Sequence, residues 1–319
     1  MKPRIFITRK LPEHMLDPFH ENYQVKMWEK EDQSVPHDIL LKEAQEAEGL
    51  LTMLSDQIDA ELFAQAPKLK VISNLAVGFD NIDIEEAKKY GVVVTNTPDV
   101  LTETTADLGF SLLMAAARRI TEAADYIKQD HWQGWEPYLL AGMDIHHKTI
   151  GIVGMGRIGE SIARRAKGFG MDILYHNRSR KPDVEKELNA SYVSFDELLE
   201  TSDFVMNVVP LTEETKNLFN RQAFEKMKRT AIFVNISRGG TVVEEDLVEA
   251  LKTEQIKGAG LDVFREEPIG KDHPLLKLKN AVCLPHIGSA SVETRTAMIS
   301  LCLDNLNGVI KGTGAKTPV

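Results

Sequence analysis

Cysteine is scarce in this sequence: among 319 residues only Cys283 and Cys302 carry a thiol, with no CxxC pair and no histidines at a zinc-binding spacing. That excludes a disulfide-rich secreted scaffold and a zinc module, and leaves room for at most one disulfide. Two buried, reduced thiols in a cytoplasmic protein are the expectation. Basic residues are in deficit, 38 Lys and Arg against 48 Asp and Glu, for a formal net charge of -10. A chain of that sign repels a polyanion and no Lys/Arg stripe offsets it, so nucleic acid is excluded as a partner. Long apolar runs are missing as well. The strongest, Phe110 to Ala117, is cut off by Arg118 and Arg119 and is too short to cross a bilayer. The opening segment, Met1 to Lys10, lacks the apolar core and cleavage site of a secretory signal and reads as a first β-strand. Low-complexity tracts and internal repeats are absent.

What is present has the balance of an ordinary globular protein, 43% hydrophobic and 27% charged. Because 319 residues exceed the size at which one core stops growing, two domains are expected. In the first hundred residues, short β-branched runs alternate with helical stretches: Ile5 to Thr8, Gly49 to Leu54, Val71 to Leu75 and Val92 to Thr95 read as strands of a parallel sheet. Gly91 stands where a helix over Ile84 to Tyr90 must end, the usual place for a left-handed cap. A long helical pattern then runs from Pro98 to about Gln129, followed by an aromatic, glycine-containing loop through Trp132, Trp135 and Tyr138. A second series of six strands follows: Thr149 to Val153, Ile173 to Tyr175, Phe204 to Val209, Ala231 to Ile236, Ala259 to Val263 and Ala281 to Leu284. Six strands suit a doubly wound sheet. A last helix begins beyond Gly288 and ends near Gly312.

The strand Thr149 to Val153 leads directly into Gly154-Met155-Gly156-Arg157-Ile158-Gly159 and then into a helical stretch. A lone GxGxxG is weak, but between a strand and a helix it is the dinucleotide-binding turn. Gly154 permits the turn, Gly156 admits the pyrophosphate, Gly159 lets helix and strand pack closely, and the amides of Arg157 and Ile158 open a helix N-terminus toward the phosphates. In an NAD-specific site an acidic residue at the end of the second strand receives the ribose hydroxyls, and Asn177 stands there instead. The run Asn177-Arg178-Ser179-Arg180-Lys181 offers cations and a hydroxyl suited to a 2′-phosphate. NADP(H) is the expected cofactor, with NAD(H) as the alternative if the run is only a solvated basic turn.

Three further segments lie just past strand ends: Asn235-Ile236-Ser237-Arg238-Gly239-Gly240, Leu261-Asp262-Val263-Phe264 with Glu267-Pro268, and Pro285-His286-Ile287-Gly288. In an open α/β sheet those ends line the ligand crevice. Each residue alone has a structural explanation, but together Arg238, Glu267 and His286 supply what hydride transfer to a 2-keto acid needs. Arg238 holds the carboxylate, His286 gives the proton, and Glu267 favours the protonated imidazole.

With Val77-Gly78-Phe79-Asp80-Asn81-Ile82-Asp83 added to these motifs, the chain resembles the D-isomer-specific 2-hydroxyacid dehydrogenase family over nearly its whole length, most closely the glyoxylate/hydroxypyruvate reductase branch. The resemblance implies two Rossmann-like or flavodoxin-like α/β domains with parallel sheets. The cofactor domain, 100–286, would be inserted into a discontinuous substrate domain of 1–99 and 287–319. It also implies that Arg238, Glu267 and His286 are the catalytic trio and that the amides of Val77 and Gly78 bind the substrate carboxylate beside Arg238. Cofactor contacts are implied at Thr105, Val209, Pro210, Thr215, Ile236, Asp262 and Gly288, with Asp262 facing the carboxamide; no metal is implied. Substrate would bind between the domains, and the segment around Trp132 and Trp135 resembles the dimer arm of a homodimer. A 2-keto-D-gluconate reductase is the nearest alternative enzyme, and a nucleotide-sensing corepressor the alternative of another class. Formate oxidation is disfavoured, since related formate dehydrogenases carry Gln where Glu267 stands. A phosphoglycerate dehydrogenase with a regulatory extension is disfavoured because the chain ends soon after the last helix.

Overall fold

The computed structural model describes residues 2–319. The chain divides into two compact units, Met1–Leu101 with Ser291–Val319, and Thr102–Ala290. In the first, strands β1 (Arg4–Ile7), β2 (Gln24–Met27), β3 (Gly49–Thr52), β4 (Val71–Asn74) and β5 (Val93–Thr95) form an all-parallel sheet in the order β2-β1-β3-β4-β5. Helices α1 (Glu13–His20), α2 (His37–Ala44), α3 (Ala60–Gln65) and α4 (Ile84–Lys89) connect them, and α12 (Val292–Ile310) returns to pack on β3, β4 and β5. Phe6, Leu50, Ile72 and Val94 bury one sheet face against Leu40, Leu62 and Phe63. At β3 a side chain in place of Gly49 would press on Leu306 of α12 at 3.1 Å, so the helix lies directly on the backbone there. Gly91 adopts φ +69 and closes α4 as a left-handed cap.

The second unit carries α5 (Thr102–Ala117) and α6 (Ile120–Lys128), then β6 (Thr149–Val153), α7 (Arg157–Gly168), β7 (Asp172–His176), α8 (Pro182–Leu188), β8 (Ala190–Tyr192), α9 (Phe195–Thr201) and β9 (Phe204–Asn207). There follow α10 (Arg221–Lys226), β10 (Ile232–Asn235), α11 (Glu244–Lys252), β11 (Gly258–Leu261) and β12 (Ala281–Cys283). All seven strands are parallel, in the order β12-β11-β10-β9-β6-β7-β8. Period-two packing shows why the strands read as continuous apolar runs: Ile150, Ile152, Phe204, Met206, Ile232 and Val234 bury one face. Val153, Val205, Phe233, Ala259 and Leu261 bury the other. The order reverses at β6 and β9, and that switch point is where an open α/β sheet binds its ligand.

The structure departs from the sequence reading at several elements. β2 and β8 were not foreseen: both are edge strands, and β2 is only half-buried, so neither has the apolar run that marks a central strand. The second sheet therefore has seven strands rather than six. The helix expected from Pro98 to Gln129 is two helices, because Arg119 takes φ 51 and turns the chain, with its guanidinium paired to Glu122 at 2.8 Å. Both thiols are free, but only Cys302 is fully buried while Cys283 is partly so. Burial pushes Cys302 up to about 12 and Cys283 up to about 11. No helix of the described residues is long and apolar enough to cross a membrane.

Candidate active site

At the end of β6 the backbone turns through Gly154 at φ +104, and a side chain there would strike the Val208 and Val209 backbone at 2.9 Å. A Cβ on Gly159 would lie 2.2 Å from the Gly154 carbonyl, so helix α7 can approach the strand only with glycine at that position. Gly156 instead faces open space, with nothing within 4 Å of a built Cβ, and as N-cap of α7 it contributes no side-chain cap. The first-turn amides of Arg157 and Ile158 thus open a twelve-residue helix toward the space that Gly156 leaves clear. That is a cradle of the kind that takes a pyrophosphate.

The loops after β9 and β10 are fixed from beneath. Asn207 and Asn235 end these strands in register, are buried, and bond to each other at 3.1 Å. Asn207 also donates to Thr241 Oγ1 at 2.8 Å, and the Asn235 amide donates to the Arg238 carbonyl at 3.1 Å. Ser237 donates its hydroxyl to the Val209 carbonyl. These polar residues hold Val209 and the 236–238 segment, a supporting role that the sequence motif around Asn235 and Ser237 does not disclose. The available signal was an asparagine as the last residue of two otherwise apolar neighbouring strands. Downstream, Thr215 donates its hydroxyl to the Pro210 carbonyl at 2.6 Å and closes the 210–215 turn. Ile236 packs so closely on α5 that a Cβ on Gly109 would meet it at 2.6 Å.

Glycine brings the catalytic candidates together. A Cβ on Gly239 would fall 1.8 Å from the Phe264 carbonyl carbon, so the Arg238–Gly239 turn lies flat against the turn that carries Glu267. Glu267 Oε1 accepts the Phe264 amide at 2.9 Å and Oε2 takes His286 Nδ1 at 2.7 Å. That bond assigns the Nδ1 proton toward the carboxylate and leaves Nε2 as the ring's working nitrogen. Burial pushes the Glu267 carboxyl up, but the hydrogen bond and charge of His286, the Phe264 amide and the Arg238 charge outweigh it and hold the group below the usual carboxylate range. His286 sits in the left-handed region at φ 53, a conformation a histidine keeps only where its surroundings impose it. Its side chain is 23% exposed and that of Glu267 28%, which leaves room for a reacting molecule. The carboxylate that pairs with His286 is thus Glu267 and not the neighbouring Glu266.

Asp262 is buried, and its Oδ1 accepts the Ile287 amide at 2.8 Å. Burial raises its pKa, opposed by the amides of Ile287 and Gly288 and the charge of His286. Its other oxygen, Oδ2, is buried with no partner. An orphaned buried acceptor is costly unless something donates to it, and a primary carboxamide would. Gly288 borders the same place, since a Cβ there would lie 3.3 Å from Asp262 Oδ2 and 3.4 Å from Thr105 Cγ2. The orphaned oxygen and the cleared cradle at Gly156 fit a nicotinamide dinucleotide.

The basic turn after β7 departs from its sequence picture. Arg180 forks onto Glu185 of α8, Nη2 to Oε2 at 2.6 Å and Nε to Oε1 at 3.1 Å. Lys181 pairs with Glu160 at 2.5 Å. Asn177 donates its amide to the Ser179 carbonyl at 3.2 Å. Arg178 and Ser179 are exposed, and the Arg178 charge helps hold the Glu214 carboxyl below its usual value, after the Thr212 hydroxyl and a backbone amide. In the first unit, Asn96 donates to the Val77 carbonyl at 2.8 Å and Asn74 to the Gly78 carbonyl at 3.0 Å. No group of three or more His, Cys, Asp or Glu among the described residues is placed to hold a metal ion.

Comparison with known proteins adds three likenesses and a family match. The family model described as D-isomer specific 2-hydroxyacid dehydrogenase, NAD binding domain, matches residues 110–288. The chain is 50% identical over 313 residues to the glyoxylate reductase of Korarchaeum cryptofilum, covering 98% of this chain and 94% of the relative. A solved structure of a Thermus thermophilus protein has a TM-score of 0.93 at 44% identity and covers 99% of both chains. The NADPH-dependent glyoxylate/hydroxypyruvate reductase of Sinorhizobium meliloti, solved with NADP and malonate, has a TM-score of 0.89 at 34% identity, covering 100% of this chain and 97% of that one.

Proposed function

Since the chain belongs to the D-isomer-specific 2-hydroxyacid dehydrogenase family, we propose that it reduces glyoxylate and hydroxypyruvate to the corresponding 2-hydroxy acids, of D configuration where the product is chiral, with NADPH as the preferred cofactor. It is an NAD(P)-dependent dehydrogenase acting on small 2-keto acids. The observation that carries the residue assignment is the 2.7 Å bond from His286 Nδ1 to Glu267, on a turn pressed against that of Arg238.

When bound, the reduced nicotinamide supplies the hydride. His286 presents a proton to the carbonyl oxygen as it gains negative charge, and Glu267 keeps the imidazole oriented and compensates its positive charge. Arg238 grips the substrate carboxylate, and the Val77 and Gly78 amides keep the substrate-binding role that the resemblance implies. Gly154, Gly156, Arg157, Ile158 and Gly159 would hold the pyrophosphate and Asp262 the carboxamide. Thr105, Val209, Pro210, Thr215, Ile236 and Gly288 would line the remainder, with Asn177, Arg178, Ser179 and Arg180 about the adenosine ribose.

A homodimer and a cytoplasmic location belong to the same reading. α6 buries none of its residues, and Ile120, Ile127, Trp132, Trp135 and Tyr138 are exposed along one stretch of chain, an apolar surface suited to a second copy. Light scattering should return twice the 35.7 kDa chain mass. For the activity, the test is steady-state reduction of glyoxylate, hydroxypyruvate and 2-ketogluconate with NADPH and with NADH. The expected outcome is catalytic loss of NADPH with the two smaller acids, with NADPH favoured over NADH by about tenfold in kcat/KM. Preferential use of 2-ketogluconate would move the assignment to a sugar-acid reductase, and absence of turnover with every acid would indicate a nucleotide sensor.

A further inference from the structure

The fork between Arg180 and Glu185 bears on cofactor choice. β7 delivers the 177–181 turn to the carboxyl end of the sheet, and of its three cations two are already bound to acids of this chain: Arg180 to Glu185 and Lys181 to Glu160. Glu185 is the more heavily engaged acid. It accepts both arms of the Arg180 guanidinium and also the Tyr175 hydroxyl at 2.7 Å, and its side chain is 17% exposed against 63% for Arg180. The Tyr175 hydroxyl in turn accepts the Lys181 amide at 2.7 Å, so the carboxylate is braced by the turn it serves. Tyr192 of β8 completes the setting, its ring 5.9 Å from the Arg180 guanidinium carbon. Arg180 is thus held by its counter-ion at the β8 side of the turn.

We propose that Glu185 sets how strongly this protein discriminates NADPH from NADH, by acting as the counter-ion of Arg180 and weakening its pull on a 2′-phosphate. The proposal rests on the reading that the 177–181 turn meets the 2′ position of the cofactor. A fork to a carboxylate takes the directional donors that a phosphate would use, and the carboxylate charge repels the phosphate dianion. NADH, with a 2′-hydroxyl, feels neither effect. Glu185 is therefore a positioning residue whose signature is selective: it changes how the 2′-phosphate is held and leaves the chemistry alone.

Glu185→Gln in the full-length enzyme tests this, since the amide oxygen can still accept from Tyr175 while the charge is lost. The expected result is a rise of about threefold to tenfold in the ratio of kcat/KM for NADPH to that for NADH, through a lower KM for NADPH, with kcat and the NADH parameters unchanged. The inhibition constant of 2′,5′-ADP should fall by a similar factor while that of 5′-AMP stays put, a readout that general loosening of the fold would not give. In an Arg180→Ala background the same substitution should have a smaller effect, since only the repulsion between the carboxylate and the phosphate is then left to remove. An unchanged or lowered ratio, or an equal effect in the Arg180→Ala background, overturns the role of Glu185. Arg178→Gln separates this from the reading beneath it: if it lowers the ratio while Glu185→Gln does not, only the role of Glu185 fails. If neither changes the ratio, the turn has no part in cofactor choice and both fail.

Discussion

Two charged regions of the second unit solve opposite problems with the same residue types. Around His286, Glu267 divides its two oxygens between the Phe264 amide and the imidazole, so its acceptors go to a backbone group and to the ring that must be aimed. Around Asn177, Glu185 gives both oxygens to Arg180 and so neutralises a cation of the turn that we propose meets the cofactor. On the proposed reading, a carboxylate in the first region prepares a charge for work, and in the second it withholds one. A charged residue near a ligand site is therefore understood only with its counter-ion, and the counter-ion's other hydrogen bonds show which of the two situations applies.

Substitution should separate the regions by kind as well as by size. The largest effect is expected from His286→Ala, which should lower kcat for glyoxylate by about a thousandfold or more while NADPH affinity stays within about twofold. Loss of nucleotide binding instead would place His286 with the cofactor contacts. Glu267→Gln removes the charge but keeps the shape and should lower kcat by about tenfold to a hundredfold, again with little change in KM for NADPH. Arg178→Gln should leave kcat untouched and lower the NADPH-to-NADH efficiency ratio by about tenfold; a fall in kcat would break the contrast.

The smallest effect concerns stability in acid. The folded protein holds Glu267 below the usual carboxylate range, so its charged form stabilises the fold above the ordinary value near 4.5, and that contribution is lost as pH falls through the lowered value. Between about pH 5 and pH 3 the wild type should thus lose more stability than Glu267→Gln, measured as the shift in thermal midpoint. Parallel curves for the two proteins would show that the lowered value has no linkage to folding.

The same contrast governs what could be read before the structure was known. β3, β6, β9 and β10 were legible because both sheet faces are covered and the strands are buried throughout or nearly so. β2 and β8 sit at sheet edges, and the break at Arg119 depends on a positive φ that no residue type there announces. Arg238, Glu267 and His286 stood out because each follows closely on an apolar strand, so the topology alone carries them to one end of the sheet. The bracing role of Asn207 and Asn235 was harder to read, since their work is to hold backbone and it takes the register of the two strands to bring them together. Nor did the pairing of Arg180, because the reach of Glu185 depends on where α8 begins and on Tyr175 beneath it.

One measurement tests the central claim most directly: a structure of the protein with NADP and oxalate, an unreactive stand-in for a 2-keto acid. It should place His286 Nε2 within about 2.6–3.2 Å of an oxalate oxygen, with the Arg238 guanidinium on the oxalate carboxylates and the nicotinamide carboxamide at Asp262 Oδ2. Oxalate bound elsewhere, or an imidazole turned away from it with Glu267 still attached, would contradict the assignment of the proton to His286.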